Sequence, residues 1–479
     1  MDFKQQVRYY NEDQLNHMKD RIYELLEKRG VKITHTEVLQ LLGKEGANVD
    51  FKEGLVRFPR KFMEEQLAKV PKQFKLVGKN GKFPLEFPHP QGLFHTRLST
   101  GAQNWLAPET DDFYRIRLKE LEYWAQLADR LEHIDFLPFL VVNDVPSPTA
   151  DVHALKTMLL NSEKHILIQP YRQETVAYMI KLLVIAVGGE SELKTNPLAS
   201  WITCSLSPFV FKDMDIEIIV QAARHGCAVQ TCSLPGAGAT GPITTSGCVM
   251  MSAAEELVMV AIAQVVRPGT PIVATSIQFS ADMQTGRSLQ SSVESLRQSA
   301  LFVQLMTDAY GLATHTYGTG SDSPDIDAQG MIERALRGML IANSGASVLG
   351  GAGQIETACS VSPIALAIDN EMFGMIKETM AEMKFDDDQF NWEELMTIQP
   401  GGQFLPSQHT YKHCRDVALP TNFIRSTRDN WETVGAKTLK ERVKTYLHEV
   451  MTNAGPLDIA EDVKKEMNDI VKKADENLG

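Results

Sequence analysis

The 479-residue chain has no C-x-x-C pair, no H-E-x-x-H helix, no G-x-S-x-G elbow and no Walker loop. Those absences exclude the common redox, zinc-peptidase, serine-hydrolase and P-loop chemistries. The six cysteines (Cys204, Cys227, Cys232, Cys248, Cys359, Cys414) are too few in so long a chain for a disulfide framework, so they read as reduced, mostly buried thiols. The longest apolar runs, Leu182–Val187 and Leu257–Val266 with Gln264 breaking the second, fall short of the ~20 residues of a bilayer span. The first six residues, Met1 to Gln6, lack the apolar stretch of a secretion signal. A cytoplasmic protein without a membrane partner is therefore expected. Basic residues are in deficit, 48 against 61 acidic, for a net charge of −13, which argues against nucleic acid as a partner.

What is present is a large core, with hydrophobic residues at 43%. The opening part reads as an α+β cap. Thr34-x-x-Glu37 suggests a capping box, Leu55–Phe58 and Phe74–Val77 suggest short strands, and Asn80-Gly81 a tight turn. From about residue 130 strand-length apolar runs alternate with helical stretches. The strands are expected at Ile134–Val142, His165–Gln169, Ser200–Ser205, Ala228–Leu234, Pro271–Thr275, Ala313–Tyr317 and Ala346–Leu349, with a faint eighth at Leu395–Pro400. Repeated strand–helix units imply right-handed crossovers and a parallel sheet. Eight of them predict an α/β fold, a (β/α)8 TIM barrel, with a cap over residues 1–125 and a barrel domain over 126–479 that ends in C-terminal helices. In the last stretch Leu439, Val443, Leu447 and Val450 mark a helix packed on the surface.

A barrel of this kind keeps its active site at the C-terminal strand ends. The positions just past the expected strands are rich in glycine, notably Pro235–Pro242, Tyr317–Asp322, Gly350–Gln354 and Gly401–Gln403. Glycine lets backbone approach a large flat ligand. Acids, bases and metal ligands are scarce there. His409 and His413, four apart, could share a helix face, but a zinc site needs a third protein ligand, so no metal is expected.

The segment Leu234–Thr244, with Ala254-Glu255, Arg267–Pro271, Ser321-Asp322, Asp327–Gln329 and Ile368-Asp369, resembles the trimethylamine methyltransferase family, in order and from about residue 10 to the end. The resemblance implies a barrel that holds a methylated amine at its mouth. A separate corrinoid (cobalamin) protein presents Co(I) to the methyl carbon, so no cofactor is bound directly. Founding members of that family carry pyrrolysine near the segment matching Gly318–Asp327; here every residue is a standard amino acid. The departure disfavours trimethylamine and points to the branch acting on quaternary amines such as glycine betaine, proline betaine or carnitine. A homo-oligomer is also implied.

Such a substrate leaves as a neutral amine, so no proton donor or Lewis acid is needed, and a rim poor in both agrees with it. Candidate residues follow from the rim positions and the resemblance. Phe209, Phe279 and Tyr317 would face the ammonium, and Gln354, His95, Arg97 and Arg172 would bind the rest of the substrate. Glu255 and Asp322 would serve the reaction directly, and Gly238, Thr240, Gly320, Gly350 and Gly351 would face the corrinoid. Each has a plainer reading: rings that fill the core, surface charges, or carboxylates that cap a helix. Two other readings stay open. One is a barrel lyase or isomerase binding phosphate at Gly350-Gly351 and Gly401-Gly402; the other is a quaternary-amine binding protein without turnover.

Overall fold

A computed structural model describes residues 7–416 and 421–479; Met1 to Gln6, on which the absence of a signal was read, lie outside them. Eight parallel strands close into a barrel: β1 (His95–Leu98), β2 (Phe136–Pro138), β3 (His165–Ile168), β4 (Ala199–Cys204), β5 (Val229–Ser233), β6 (Ile272–Ser276), β7 (Ala313–Tyr317) and β8 (Val348–Ala352). One long helix follows each: α1 (Leu118–Arg130), α2 (Ala150–Asn161), α3 (Val176–Val187), α4 (Asp213–Arg224), α5 (Thr245–Val266), α6 (Val293–Gln304), α7 (Ala328–Asn343) and α8 (Pro363–Met380). The parallel register and the covered outer face follow from the crossover helices.

Two expectations about strands need correction. The opening strand β1 lies inside the segment 1–125 read as cap, and Leu395–Pro400 is no barrel strand, since Trp392–Thr397 is a short helix. The reason is chemical. His-Thr-Arg-Leu has polar His95 and Arg97 on the lumen side, so it carries no apolar run to announce a strand.

Below the barrel, a hairpin of Phe74–Leu76 and Leu85–Phe87 forms the floor. Its Leu76, Leu85 and Phe87 join Phe136, Leu167, Ile202, Ala228 and Val273 of the lumen in one buried cluster. Each such side chain contributes about 1.5–3 kcal/mol when fully buried. Asn80 takes a positive φ of 56° at the connecting turn. The expected capping box is displaced: His35 caps the helix Thr36–Lys44, and Thr34 Oγ1 donates to Asp213 instead, 2.7 Å away. The N-terminal strands Val31–Ile33, Asn48–Asp50 and Leu55–Arg57 make a sheet with Val210–Phe211, which belongs to the loop after β4.

Helix α5 is long and apolar enough to cross a membrane by length and composition, but 83% of that stretch is buried by the surrounding chain. It extends eight residues before Ala253, where its apolar pattern reads clearly. The helices Leu439–Met451 and Glu461–Leu478 close the chain, with Val443 and Leu447 buried as their stripe implied. Between α8 and these helices, only Asn422 is buried among the described residues 381–437.

Candidate active site

Alternation along β1 puts His95 and Arg97 on the lumen side, one layer apart. His95 sits in the floor. Its Nε2–H donates to the Glu86 carbonyl at 2.8 Å, its ring packs against Phe87 and His89, and burial lowers its pKa. His95 is thus a structural residue at the closed end, and the substrate role expected for it is not supported.

Arg97 lies in the upper lumen, wholly buried. Its Nε donates to His315 Nε2 at 2.8 Å and its Nη1 to the Leu98 carbonyl at 2.7 Å, while Nη2 has no hydrogen-bond partner. No carboxylate reaches it within ion-pair distance among the described residues. Burial drives the His315 pKa well down, and the Arg97 charge adds to that. The imidazole is therefore neutral, with Nε2 accepting from Arg97. That leaves the ring proton on Nδ1, 3.3 Å from Thr275 Oγ1. A buried cation held by neutral partners is costly unless an anion joins it. Gly350 makes the room: a Cβ there would stand 2.6 Å from His315 Nε2 and 2.9 Å from Arg97 Cζ. Its missing side chain serves the lumen rather than a flat ligand at the rim.

The Tyr317 ring centre is 5.4 Å from the Arg97 guanidinium. Tyr317 shares one cluster with Ile277, Phe279, Leu234, Cys232 and Ala358. An apolar, aromatic wall thus stands next to the buried cation. Phe209 belongs elsewhere. The Arg29 guanidinium covers its ring at 4.0 Å, and it packs on the outer core, so it does not join Phe279 and Tyr317.

The two candidate carboxylates hold loops. Glu255 Oε2 accepts from the hydroxyls of Ser205 (2.7 Å), Ser207 (2.8 Å) and Ser233 (2.7 Å), and Oε1 from the Phe209 N–H (2.8 Å). Every partner is the chain's own, and Phe209 is held at a positive φ of 63°. Asp322 accepts from the Gln290 N–H (3.0 Å), the Ser291 N–H (2.8 Å) and Thr357 Oγ1 (2.8 Å). It ties together the loops after β6, β7 and β8. By these contacts both carboxylates hold loops in place. Thr357 itself lies in a run of left-handed backbone, Glu356, Thr357 and Ala358, with φ of 53°, 53° and 66°. Such conformations persist only where surrounding contacts enforce them.

Gln354 is wedged between loops. Its Nε2 reaches the Thr319 carbonyl (3.1 Å) and Gln290 Oε1 (3.2 Å), and its Oε1 is buried without a partner. Gly320 and Gly351, both at positive φ, give it space; a Cβ on either would stand 2.0 or 2.7 Å from its Nε2. Gly238 has φ +88° under Met283 and Ile243, and Thr240 Oγ1 accepts from the Gly236 N–H at 2.8 Å. Arg172 is a surface cation 3.4 Å from Glu174 and lies apart from Arg97. Gly401-Gly402 follow a helix of the C-terminal extension, so that pair is absent from the strand end where the phosphate-site reading put it.

Sequence reasoning missed His315, Glu256 and Arg337. His315 is two residues before Tyr317 on β7, so alternation alone puts it on the same face. Glu256 is fully buried behind β5 and β6, and desolvation drives its pKa well up. Arg337 on α7 is buried too, with its pKa lowered to about 10 by desolvation and Asp322 opposing that shift. Two crevices of about 210 and 200 Å3 lie on the outside of the molecule, and neither includes a strand-end residue.

A sequence profile described as trimethylamine methyltransferase (MTTB) matches residues 3–479. The trimethylamine methyltransferase MttB of Desulfitobacterium hafniense (strain DSM 10664 / DCB-2) is 26% identical over 471 residues, covering 98% of this chain and 94% of the relative. The glycine betaine methyltransferase of Desulfitobacterium hafniense (strain Y51) is also 26% identical, over 476 residues, covering 98% and 97%. In structure, the Methanosarcina barkeri monomethylamine methyltransferase (MtmB) aligns with a TM-score of 0.55 at 11% identity, over 95% of this chain and 90% of that one, which shows the fold. With the profile running over nearly its whole length, the chain belongs to the trimethylamine methyltransferase family and is a methyltransferase.

Proposed function

We propose that the protein demethylates a quaternary amine that carries a carboxylate, a betaine, and passes the methyl group to the Co(I) of a partner corrinoid protein. The observation that carries this reading is Arg97: a buried guanidinium in the upper lumen with one nitrogen unpartnered and no carboxylate of its own. A substrate carboxylate would supply the missing counter-ion as a charge-assisted, planar pair. Tyr317 and Phe279 would then face the ammonium, each worth ~0.5–2 kcal/mol by cation–π attraction.

The corrinoid, when its carrier protein docks, supplies the nucleophilic cobalt. This chain's residues bind, orient and keep water out. The amine leaves neutral, so no residue has to hand it a proton, and Glu255 and Asp322 are free to be spent on loop position. Holding the methyl carbon in line with the incoming nucleophile is the main contribution left to the protein. The half-exposed to exposed Leu206, Ile243 and Met283, on loops after β4, β5 and β6, offer apolar surface around the mouth for the carrier.

The test mixes the purified chain with a reduced corrinoid protein and a panel of amines, following the Co(I) absorbance. Loss of Co(I) with a betaine but not with trimethylamine supports the proposal. No loss with any quaternary amine, while the enzyme still binds one, makes the chain a binding protein instead.

A further inference from the structure

We propose that Asp388, His409 and His413 form a zinc site that staples the segment between α8 and the C-terminal helices. His409 and His413 lie one turn apart on the helix Gln408–His413, with ring centres 4.4 Å apart. The fold supplies a third donor that the spacing of two histidines could not reveal. Asp388, on the helix Asp387–Phe390, stands across from them, and one ligand atom from each of the three lies within 4.8 Å of the others. A tetrahedral zinc with bonds of about 2 Å holds its ligand atoms about 3.3 Å apart. His413 Nε2 and Asp388 Oδ2 are already at 3.4 Å, while His409 Nε2 now donates to the Asp388 carbonyl at 2.7 Å, leaving its Nδ1 to bind unless that bond is exchanged.

The second coordination layer is in place. Asp416 Oδ2 accepts from His413 Nδ1–H at 2.7 Å, which fixes the tautomer with Nε2 as the free donor. That Nε2 is buried and without a hydrogen-bond partner. Lys412 now neutralises Asp388, with Nζ 2.7 Å from both carboxylate oxygens. It is an exposed side chain on a flexible stem, and a divalent ion can displace it.

The segment also has a need for such a staple. Residues 381–437 bury only Asn422 among those described, and Met383, Phe385, Leu405 and Tyr411 stay more than four-fifths exposed. Short helices without a core of their own are the kind of element that metal binding orders. Two imidazole nitrogens, a carboxylate and a water fit zinc better than the oxygen-seeking magnesium or calcium.

The experiment uses the full chain without a histidine tag, stripped of metal and titrated with zinc against a chromogenic chelator. The expected result is one zinc per chain, with slower tryptic cleavage at Lys384 and Arg415 once it is bound. Asp416→Asn should weaken binding by about 10–100-fold, and either His409→Ala or His413→Ala by more. Lys412→Ala should keep the full equivalent. Zinc below one equivalent in the parent chain, or unchanged binding in the His409→Ala/His413→Ala double variant, would overturn the proposal, as would loss of zinc in Lys412→Ala.

Discussion

At Arg97 a single side chain concentrates the electrostatics of the lumen. A guanidinium in low dielectric gains from each nearby acceptor, yet its partners here are a neutral imidazole, a carbonyl and the Tyr317 side chain, none of them an anion. Gly350 is its steric counterpart. Gly350→Ala should cost about 1–3 kcal/mol, because the new methyl overlaps His315 and Arg97 in a packed layer. The same change should weaken betaine binding, since the guanidinium must shift to make room. Urea unfolding and binding titrations of one variant check both; unchanged stability and affinity would mean the layer has slack that the geometry does not show.

At the scale of elements, loops after the strands are held by two carboxylates, buried Glu255 and half-buried Asp322. Glu255→Gln turns an oxygen that accepts three hydroxyls into a donor facing them, or leaves the Phe209 N–H unpaired. A loss on the order of 3 kcal/mol of stability is expected, together with faster amide exchange over residues 205–209. Hydrogen-exchange mass spectrometry and denaturation measure these. A variant as stable as the parent but inactive would instead return Glu255 to a direct part in the reaction. This is also where the limits of sequence reading show. The runs of β3 and β6 announce themselves because both faces carry apolar residues, Ile166 and Ile168 outward with Leu167 inward, and Ile272 and Ala274 outward with Val273 inward. β1 does not, since its inward residues are His95 and Arg97, so apolar runs alone start the barrel one strand late and fill the count with Leu395–Pro400, whose first residues belong to the helix Trp392–Thr397. Phe209 follows β4 just as Phe279 follows β6, and only tertiary structure separates a ring under Arg29 from one packed on the lumen cluster that holds Tyr317.

For the whole molecule, acid should act through buried imidazoles. His165 donates from Nδ1 to the Val77 carbonyl and faces Ser200 Oγ with Nε2, and burial lowers its pKa to about 4. Its folded pKa lies below the unfolded value of about 6.5. The unfolded chain therefore takes up the proton first, and stability present above pH 6.5 is lost as pH falls toward 4, by about 3 kcal/mol. Asp215, raised to about 6 by burial, works in the opposite sense, losing stability as pH rises. Comparing the parent with His165→Gln isolates the histidine: the variant should show a flatter decline between pH 6.5 and 4. Parallel curves would show that His165 does not govern it. The glycine-rich rim, the family resemblance and the barrel were all legible from residue order, whereas the buried arginine's lack of a counter-ion needed the closed barrel to set β1 beside β8, with β7 one strand further on.

The most direct measurement is calorimetric binding of glycine betaine and of tetramethylammonium, which lacks the carboxylate, to the parent chain and to Arg97→Met. The account predicts that the substitution weakens betaine by about 10–150-fold, the worth of a hydrogen-bonded charge, and leaves tetramethylammonium unchanged. Equal losses for both ligands, or none for either, would contradict the assignment of Arg97 as the partner of the substrate carboxylate.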